Sequence, residues 1–300
     1  MAGDLPRPSD PIPGGEHVRW RERPSQTGGV LLVAFEGWSD AGDAASTAVR
    51  YLTDQWELEP FADIAPEIFY DFSVTRPRVE LDDDLQRQIV WPELTFSAGS
   101  VRSHDAVVGP AASLVGAEPQ LRWRTFTEQV ISVAHALEVD LVLTLGALLA
   151  EVPHSRQVSV FATSYDDEVA KGQGLQPSRY EGPTGITGVL QTACRDAGLR
   201  SGALWAAVPT YVPAAPSPKA ALALMRKVSE LTELPFEPTE IAIAAASYEH
   251  QVDELVADDE ETHEYVSQLE ERFDRGAADP FSDEESLVDE VERFLREQPE

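Results

Sequence analysis

The chain has 300 residues, of which 42% are apolar, and a formal net charge of −30 at pH 7. That is enough for one large domain, or one domain with an appendage, built around a sizeable core. A surface this acidic repels phosphate backbones and anionic lipid, so DNA, RNA and membrane are not expected partners.

The single cysteine, Cys194, excludes an internal disulfide and a cysteine-based zinc site. No apolar run reaches the length of about 18 residues that a membrane-spanning helix needs. The Pro/Gly-rich start, MAGDLPRPSDPIPGGEH, has neither a basic n-region nor an apolar h-region, so it does not read as a signal peptide. Disorder is expected over residues 1–27, and the cytoplasm is the expected compartment. Asparagine is absent and three lysines stand against twenty arginines, a bias that resembles a high-GC actinobacterial genome.

The first predicted element is a continuous apolar strand over Val30–Glu36, suited to the middle of a sheet covered on both faces. Ser39 or Asp40 caps a helix running to about Trp56, with Ala44, Ala48, Leu52 and Trp56 on one face. A second strand is expected over Ile64–Phe72 and a charged loop over Thr75–Asp84. Gln88–Trp91 and Leu94–Ser97, split by Pro92, read as paired strands near a sheet edge. A short buried strand follows at Asp105–Gly109, then a helix over Arg122–Glu138.

Asp140–Leu149 is the second central strand, and Val158–Thr163 another. A helix over Gly185–Ala197, a strand over Ala203–Val208 and a helix over Pro218–Glu233 complete the domain, taken as residues 28–237. Strands alternating with helices predict an α/β layer fold with a largely parallel sheet. Residues 238–300 form an acidic helical extension. From Glu249 to Glu300 there are 20 acidic and 4 basic residues, a net of −16, most of which reads as a solvated helical face. Tyr248, Val252, Leu255, Val266, Leu269 and Phe273 keep helical spacing, and the break at Asp258–Glu261 predicts two helices. A capping box, Ser282 with Glu285, precedes a last amphipathic helix through Leu287, Val288, Val291, Phe294 and Leu295.

Four segments concentrate polar groups: EGWSDAG (from Glu36), LLAEVPHSR (from Leu148), YEGPTGITG (from Tyr180) and AAVPTYVPAAPSPK (from Ala206). Each lies where a predicted strand stops or a helix starts, the edge at which open α/β sheets bind ligands. Asp40, Glu151, His154, Tyr180 and Thr184 are therefore expected within about 12 Å of one another. Each group also has a plainer reading: Glu36 as an arginine's ion-pair partner, Asp40 as a helix cap, His154 as a bonded loop residue. Gly182, Gly185 and Gly188, with Thr184 as cap, fit neither dinucleotide nor Walker patterns, and Glu181 would repel phosphate. Cys194 falls on the apolar helix face, a core position. No metal spacing and no cofactor signature appear.

VAFEGWSDAGDAASTAVRYL, TLGALLAEVPHSR, YEGPTGITGVLQTACRDAGL and LWAAVPTYV with PSPKAALALM, in that order, resemble the PAC2 family in its actinobacterial branch, over roughly Val30–Leu234. The resemblance implies a phosphorylase/hydrolase-like three-layer α/β/α sandwich with a largely parallel mixed sheet and C-terminal helices. It also implies relatives that act as ATP-independent chaperones for proteasome α-subunits, and it brings no assigned enzyme activity. The matching positions are Gly37, Trp38, Asp40, Ala41 and Gly42; Glu151, Pro153 and His154; Tyr180, Gly182, Pro183, Thr184 and Gly185; and Pro209, Tyr211, Pro218 and Lys219. Some relatives end in a hydrophobic–tyrosine–residue motif that docks on the proteasome; the sequence here ends FLREQPE, so docking by that route is not expected.

Two readings result. One is a non-enzymatic assembly or interaction protein that works as a homo-oligomer through protein partners. The other is a hydrolase, phosphorylase or ligase acting on a small polar substrate, with Asp40 or Glu151 as base, His154 as acid/base and Arg156 holding an anionic group. Gly37, Trp38, Asp40, Arg156, Tyr180, Thr184, Tyr211 and Lys219 would line its ligand site. An enzyme needs those groups converging on an open pocket, whereas an assembly factor needs an exposed apolar surface.

Overall fold

The computed structural model describes residues 14–82, 85–104, 106–178, 181–213 and 215–276. The chain enters through β1 (Val18–Trp20) and β2 (Val30–Glu36), then forms α1 (Ala44–Gln55) and β3 (Glu59–Ile64). A hairpin of β4 (Arg78–Leu81) and β5 (Arg87–Val90) precedes the long pair β6 (Leu94–Ser103) and β7 (Ala106–Ala117). Next come α2 (Trp123–Ala136), β8 (Leu141–Ala150), β9 (Val160–Ser164), α3 (Asp167–Gln173), β10 (Gln176–Pro177), α4 (Ile186–Asp196), β11 (Ser201–Pro209) and α5 (Pro218–Thr232). Two C-terminal helices, α6 (Thr239–Ala257) and α7 (Glu260–Asp274), close the described chain.

Nine strands form one mixed sheet in the order β1-β3-β6-β7-β2-β8-β11-β9-β10. The four central strands, β7, β2, β8 and β11, are mutually parallel. The flanks turn antiparallel at β6–β7, β3–β6, β1–β3 and β11–β9, so parallel pairing is confined to the centre and to the short β9–β10 contact.

The alternation of side chains along β2 explains how the sheet is covered. Val30, Leu32 and Ala34 face one core, with Ala44, Ala48 and Leu52 of α1 and Ala221, Leu224 and Val228 of α5. Leu31, Val33 and Phe35 face a second core, with Phe126, Val130 and Val133 of α2 and Ile186, Leu190 and Cys194 of α4. Both faces are thus buried, which is why β2 and β8 read as unbroken apolar runs.

The order of elements follows the sequence pattern with six corrections. The strand expected at Ile64–Phe72 lies earlier, at Glu59–Ile64; Pro66 starts a 3-10 turn through Ile68 instead, and Phe69 and Tyr70 enter the core from it. The loop expected at Thr75–Asp84 contains β4. Its partner is β5, so the strands on either side of Pro92 belong to separate sheets. Of the stretch expected as a short buried strand, Asp105 lies outside the described residues and 106–109 open β7 without being its buried part: Val107 and Val108 are exposed, and burial begins at Ala111. The sheet also gains its edge strand β1 before residue 28, paired to β3.

The sixth correction concerns the extension. It forms two helices, with Asp259 capping α7 by accepting the Thr262 amide at 3.0 Å. Tyr248, Val252, Val266 and Leu269 are buried as the spacing implied, whereas Leu255 is 62% exposed and Phe273 only half-buried. The buried stripe of α6 ends on Val256 instead. The expected last helix, including Leu295, lies outside the described residues.

Candidate functional site

The parallel strands β8 and β11 end opposite each other at Ala150 and Pro209, and β2, whose Ala34 pairs with Leu145, stops earlier at Glu36 on the same side of the sheet. The segments after them share that edge. Asp40 bridges to Ala147 of β8, and the Ala147 amide donates to the Ser39 carbonyl at 2.8 Å. The Ser217 amide at the start of α5 donates to the Gly42 carbonyl at 2.7 Å. Gly42 has φ +60°, and a Cβ there would lie 2.9 Å from Ser217 Cβ, so this contact between loops needs glycine.

Asp40 is 4% exposed and caps α1. Its Oδ1 accepts the amides of Ala45 at 2.7 Å and Ser46 at 3.1 Å, while Oδ2 is buried without a protein partner. Burial raises its pKa above the ordinary carboxylate value, against the lowering effect of the Ser46 and Ala45 bonds. With one oxygen committed to the helix and the other enclosed, this is the geometry of a cap.

Glu118, which sequence reading missed, joins the first and third segments. Its carboxylate is bonded by the backbone amides of Ile186, the first residue of α4, and Trp38. Burial raises its pKa, partly offset by those two bonds. Trp38, 45% exposed, lies against Gly185, where a Cβ would sit 3.2 Å from the indole ring. Gly37 is also adjacent, since a Cβ there would lie 3.6 Å from Glu118 Oε2. The N-cap position of α4 is Gly185, with no side-chain cap, so Thr184, which is exposed, is not the capping residue expected. Glu118 lies in a Glu-Pro pair after an apolar strand and carries no motif that would single it out. Tyr180 lies outside the described residues.

The second and fourth segments meet under the C-terminal helices. The His154 amide donates to Tyr211 Oη at 2.7 Å, and His154 Nδ1 lies 2.8 Å from the same oxygen. His154 Nε2 lies 3.0 Å from Asp253 Oδ1 of α6, and because a carboxylate oxygen accepts, Nε2–H is the donor of that bond. The Tyr211 hydroxyl is raised well above its ordinary value, chiefly by burial. The carboxylate partner of His154 is 99 residues away in sequence, on a helix, and no local pattern announces it.

The remaining polar groups of these loops are engaged by the same helices. Arg156 forms a two-pronged pair with Asp274 of α7, Nε and Nη2 each 2.9 Å from a carboxylate oxygen, and reaches Glu270 at 3.3 Å. The Asp274 bonds hold the guanidinium above its already high pKa, and the carboxyl of Asp274 below the usual range. Ser155 Oγ donates to Glu270. Lys219 donates to the His154 carbonyl and pairs with Glu249 of α6. Glu151 pairs with Arg272 of α7 at 3.1 Å. Beneath this seam Tyr248, Val252, Val256 and Val266 pack against Tyr211 and Val212.

Between these loops and the helices lies a cavity of about 10 Å³ lined by Val152, His154, Ser217, Lys219 and Tyr248 among others, the volume of roughly one water. The histidine and arginine expected to act on a substrate are thus bound to the protein's own carboxylates. Among the described residues, no group of three or more His, Cys, Asp or Glu side chains could hold a metal ion. No helix among them is long and apolar enough to cross a membrane.

Fold and seam together define a mixed α/β protein whose strand-end crevice is covered by its own C-terminal helices. Residues 34–256 match the PAC2 family, and the chain belongs to it. It is 43% identical to a PAC2 family protein from Streptomyces avermitilis, over 79% of this chain and 99% of the other, with a TM-score of 0.72. It is 41% identical to a proteasome-assembly chaperone homologue from Mycobacterium tuberculosis, again over 79% and 99%, with a TM-score of 0.71. An archaeal proteasome activator from Pyrococcus furiosus, PbaB, shares the fold at 13% identity, over 79% and 97%, with a TM-score of 0.63. A search of curated protein sequences finds no match.

Proposed function

We propose that this PAC2-family chain is a non-enzymatic, ATP-independent assembly or interaction factor, acting as a homo-oligomer on protein partners in the cytoplasm. Its phosphorylase/hydrolase-like three-layer scaffold serves in this reading as a platform with a covered crevice. The observation that carries the reading is the seam. His154, Arg156, Lys219 and Glu151 are all committed to α6 and α7, and the space beneath holds about one water. The M. tuberculosis relative, named as a proteasome-assembly chaperone homologue, supports proteasome subunits as the partners to test first.

The test is reconstitution. Purified chain is mixed with proteasome α-subunits from an actinobacterium, with and without ATP, and assembly intermediates are followed by native mass spectrometry. A complex of defined stoichiometry that forms equally without ATP is expected. Absence of any complex would overturn the proteasome partner. Turnover of a small-molecule ester, phosphate or glycoside substrate that is abolished by His154→Ala would overturn the non-enzymatic reading.

A further inference from the structure

Three loops that are bonded to one another carry exposed apolar side chains on the α2–α4 side of the strand-end edge. The Phe69 carbonyl accepts the amides of Gln120 at 2.9 Å and Leu121 at 3.0 Å. The Asp71 amide donates to Gln120 Oε1 at 3.2 Å, and the Val74 amide closes the same turn on the Asp71 carbonyl at 2.9 Å. Glu118, three residues before Leu121, accepts the Trp38 amide. Trp38, Val74 and Leu121 are 45%, 70% and 44% exposed. Together they leave on the order of 300 Å² open, a size at which an apolar patch is often functional. Beside them Arg122 and Arg124 stand exposed at the start of α2. Neither has a carboxylate partner among the described residues, and the first turn of α2 has no side-chain cap and no acidic residue to complement the positive end of the helix dipole. Trp123 Nε1 donates to the Pro119 carbonyl at 2.6 Å, which pins the loop to the helix.

We propose that residues 282–297 of the same chain dock on this surface and cover it. They carry Leu287, Val288, Val291, Phe294 and Leu295 at helical spacing, among seven acidic and two basic residues. The apolar side chains meet Trp38, Val74 and Leu121, and the carboxylates supply the partners that Arg122 and Arg124 lack. Charge selects this surface over the outer face of α6. Ile243 there is more exposed, at 66%, but α6 carries Glu240, Glu249, Asp253 and Glu254 and no lysine or arginine, so it repels an acidic segment. The length of chain permits the contact. The last turn of α7 lies over the end of β8, where Arg272 pairs with Glu151. The next two strands are β2 and β7, so the loop carrying Leu121 begins about 10 Å to the side. The link from Gly276 to Ser282 spans up to about 20 Å when extended. A segment tethered so closely acts at high effective concentration, and a patch of this size is then sufficient to hold it. The contact closes the part of the strand-end edge over β2 and β7, as α6 and α7 close the part over β8 and β11.

The test uses the full chain carrying Leu121→Cys and Val291→Cys, treated with a short bis-maleimide; Cys194 is fully buried and stays silent. A cross-link within one chain is expected, read by mass spectrometry as the single-chain mass plus one linker. Its yield should fall several-fold when Arg122→Glu and Arg124→Glu are added, and again in raised salt. Hydroxyl-radical footprinting without cysteines gives an independent reading. Trp38 should oxidise several-fold more slowly in the wild type than in Val291→Asp with Leu295→Asp, measured against the buried Trp56. Cross-links formed only between chains would place the segment on a second copy and overturn docking within the chain. A cross-link indifferent to charge reversal, with Trp38 oxidised equally in both proteins, marks a tether that merely passes the surface and overturns the proposal too. No cross-link and equal oxidation of Trp38 leave the surface open, and the proposal fails outright.

Discussion

Replacing Tyr211 by Phe separates the two kinds of bond that hold α6 and α7 over the sheet edge. The substitution keeps the ring that packs against Tyr248, Val252 and Val266 and removes only the hydroxyl. That hydroxyl serves both the amide and the Nδ1 of His154, a residue 4% exposed. Leaving a buried amide unpaired costs about 1–3 kcal/mol, and losing the second bond adds about 1 kcal/mol, so a total near 3 kcal/mol is expected. The competing contribution is the ion-pair rim. Arg156 and Glu270 are 32% and 30% exposed and Asp274 56%, so solvent screens the Arg156 pairs and they contribute less than the buried bonds of Tyr211. Tyr211→Phe should therefore destabilise the chain more than Arg156→Ala. Urea unfolding followed by circular dichroism measures both, and hydrogen exchange over residues 239–276 shows whether the helices open first. If Arg156→Ala proves the costlier change, or 1 M NaCl releases the helices of the wild type, the seam is electrostatic and the buried histidine relay is not its anchor.

Leu269→Ala, at a site 1% exposed, should cost about 2–4 kcal/mol, whereas Leu255→Lys should be neutral; chemical denaturation compares them. Glu118→Ala should cost about 1–3 kcal/mol by leaving the Ile186 and Trp38 amides without their acceptor. Because the folded-state pKa of Glu118 is raised above 4.5, the folded chain binds its proton more tightly, and stability falls as pH rises from 4.5 through the folded value. Glu118→Gln removes that slope, so melting curves across the window should move in the variant's favour as pH increases. Burial pushes the Cys194 thiol up to about 12, so a thiol reagent should label it only after unfolding. RNA or DNA should give no salt-sensitive mobility shift, given the net charge of −30.

The central strands were legible because burial on both faces leaves an unbroken apolar run, as in Val30–Phe35 and Leu141–Ala147. The flanks were not. Phe69 and Tyr70 are apolar for the core they fill from a turn, and composition does not distinguish that from a strand. The hairpin was hidden for the opposite reason: charged residues at alternate positions made Arg78–Leu81 look like loop. At the site, Asp40 as a cap followed from its place before a helix, a relation five residues long. The partners of His154, Arg156 and Glu151 stand 99, 118 and 121 residues away, and pairings at that range are set by tertiary packing alone.

The acidic bias of the C-terminal helices has a second role beside solvation. Glu249, Asp253, Glu270 and Asp274 face Lys219, His154 and Arg156, so four carboxylates of the extension are turned inward onto the donors of the sheet edge. Most of the rest, such as Glu254, Glu260 and Glu271, face water. Parallel strands ending together expose the loop donors of β8 and β11 at one edge, and a doubly wound fold leaves that edge open to ligands. Here the chain supplies its own anions to those donors. Truncation before residue 239 would therefore leave Lys219 and Arg156 without their carboxylates and expose Tyr211 and Val212, turning a closed edge into a basic, partly apolar groove. A truncated chain that stayed folded and gained affinity for acidic peptides, read by fluorescence polarisation, would show the helices act as an internal occupant. One that stayed folded and bound none would limit their role to packing.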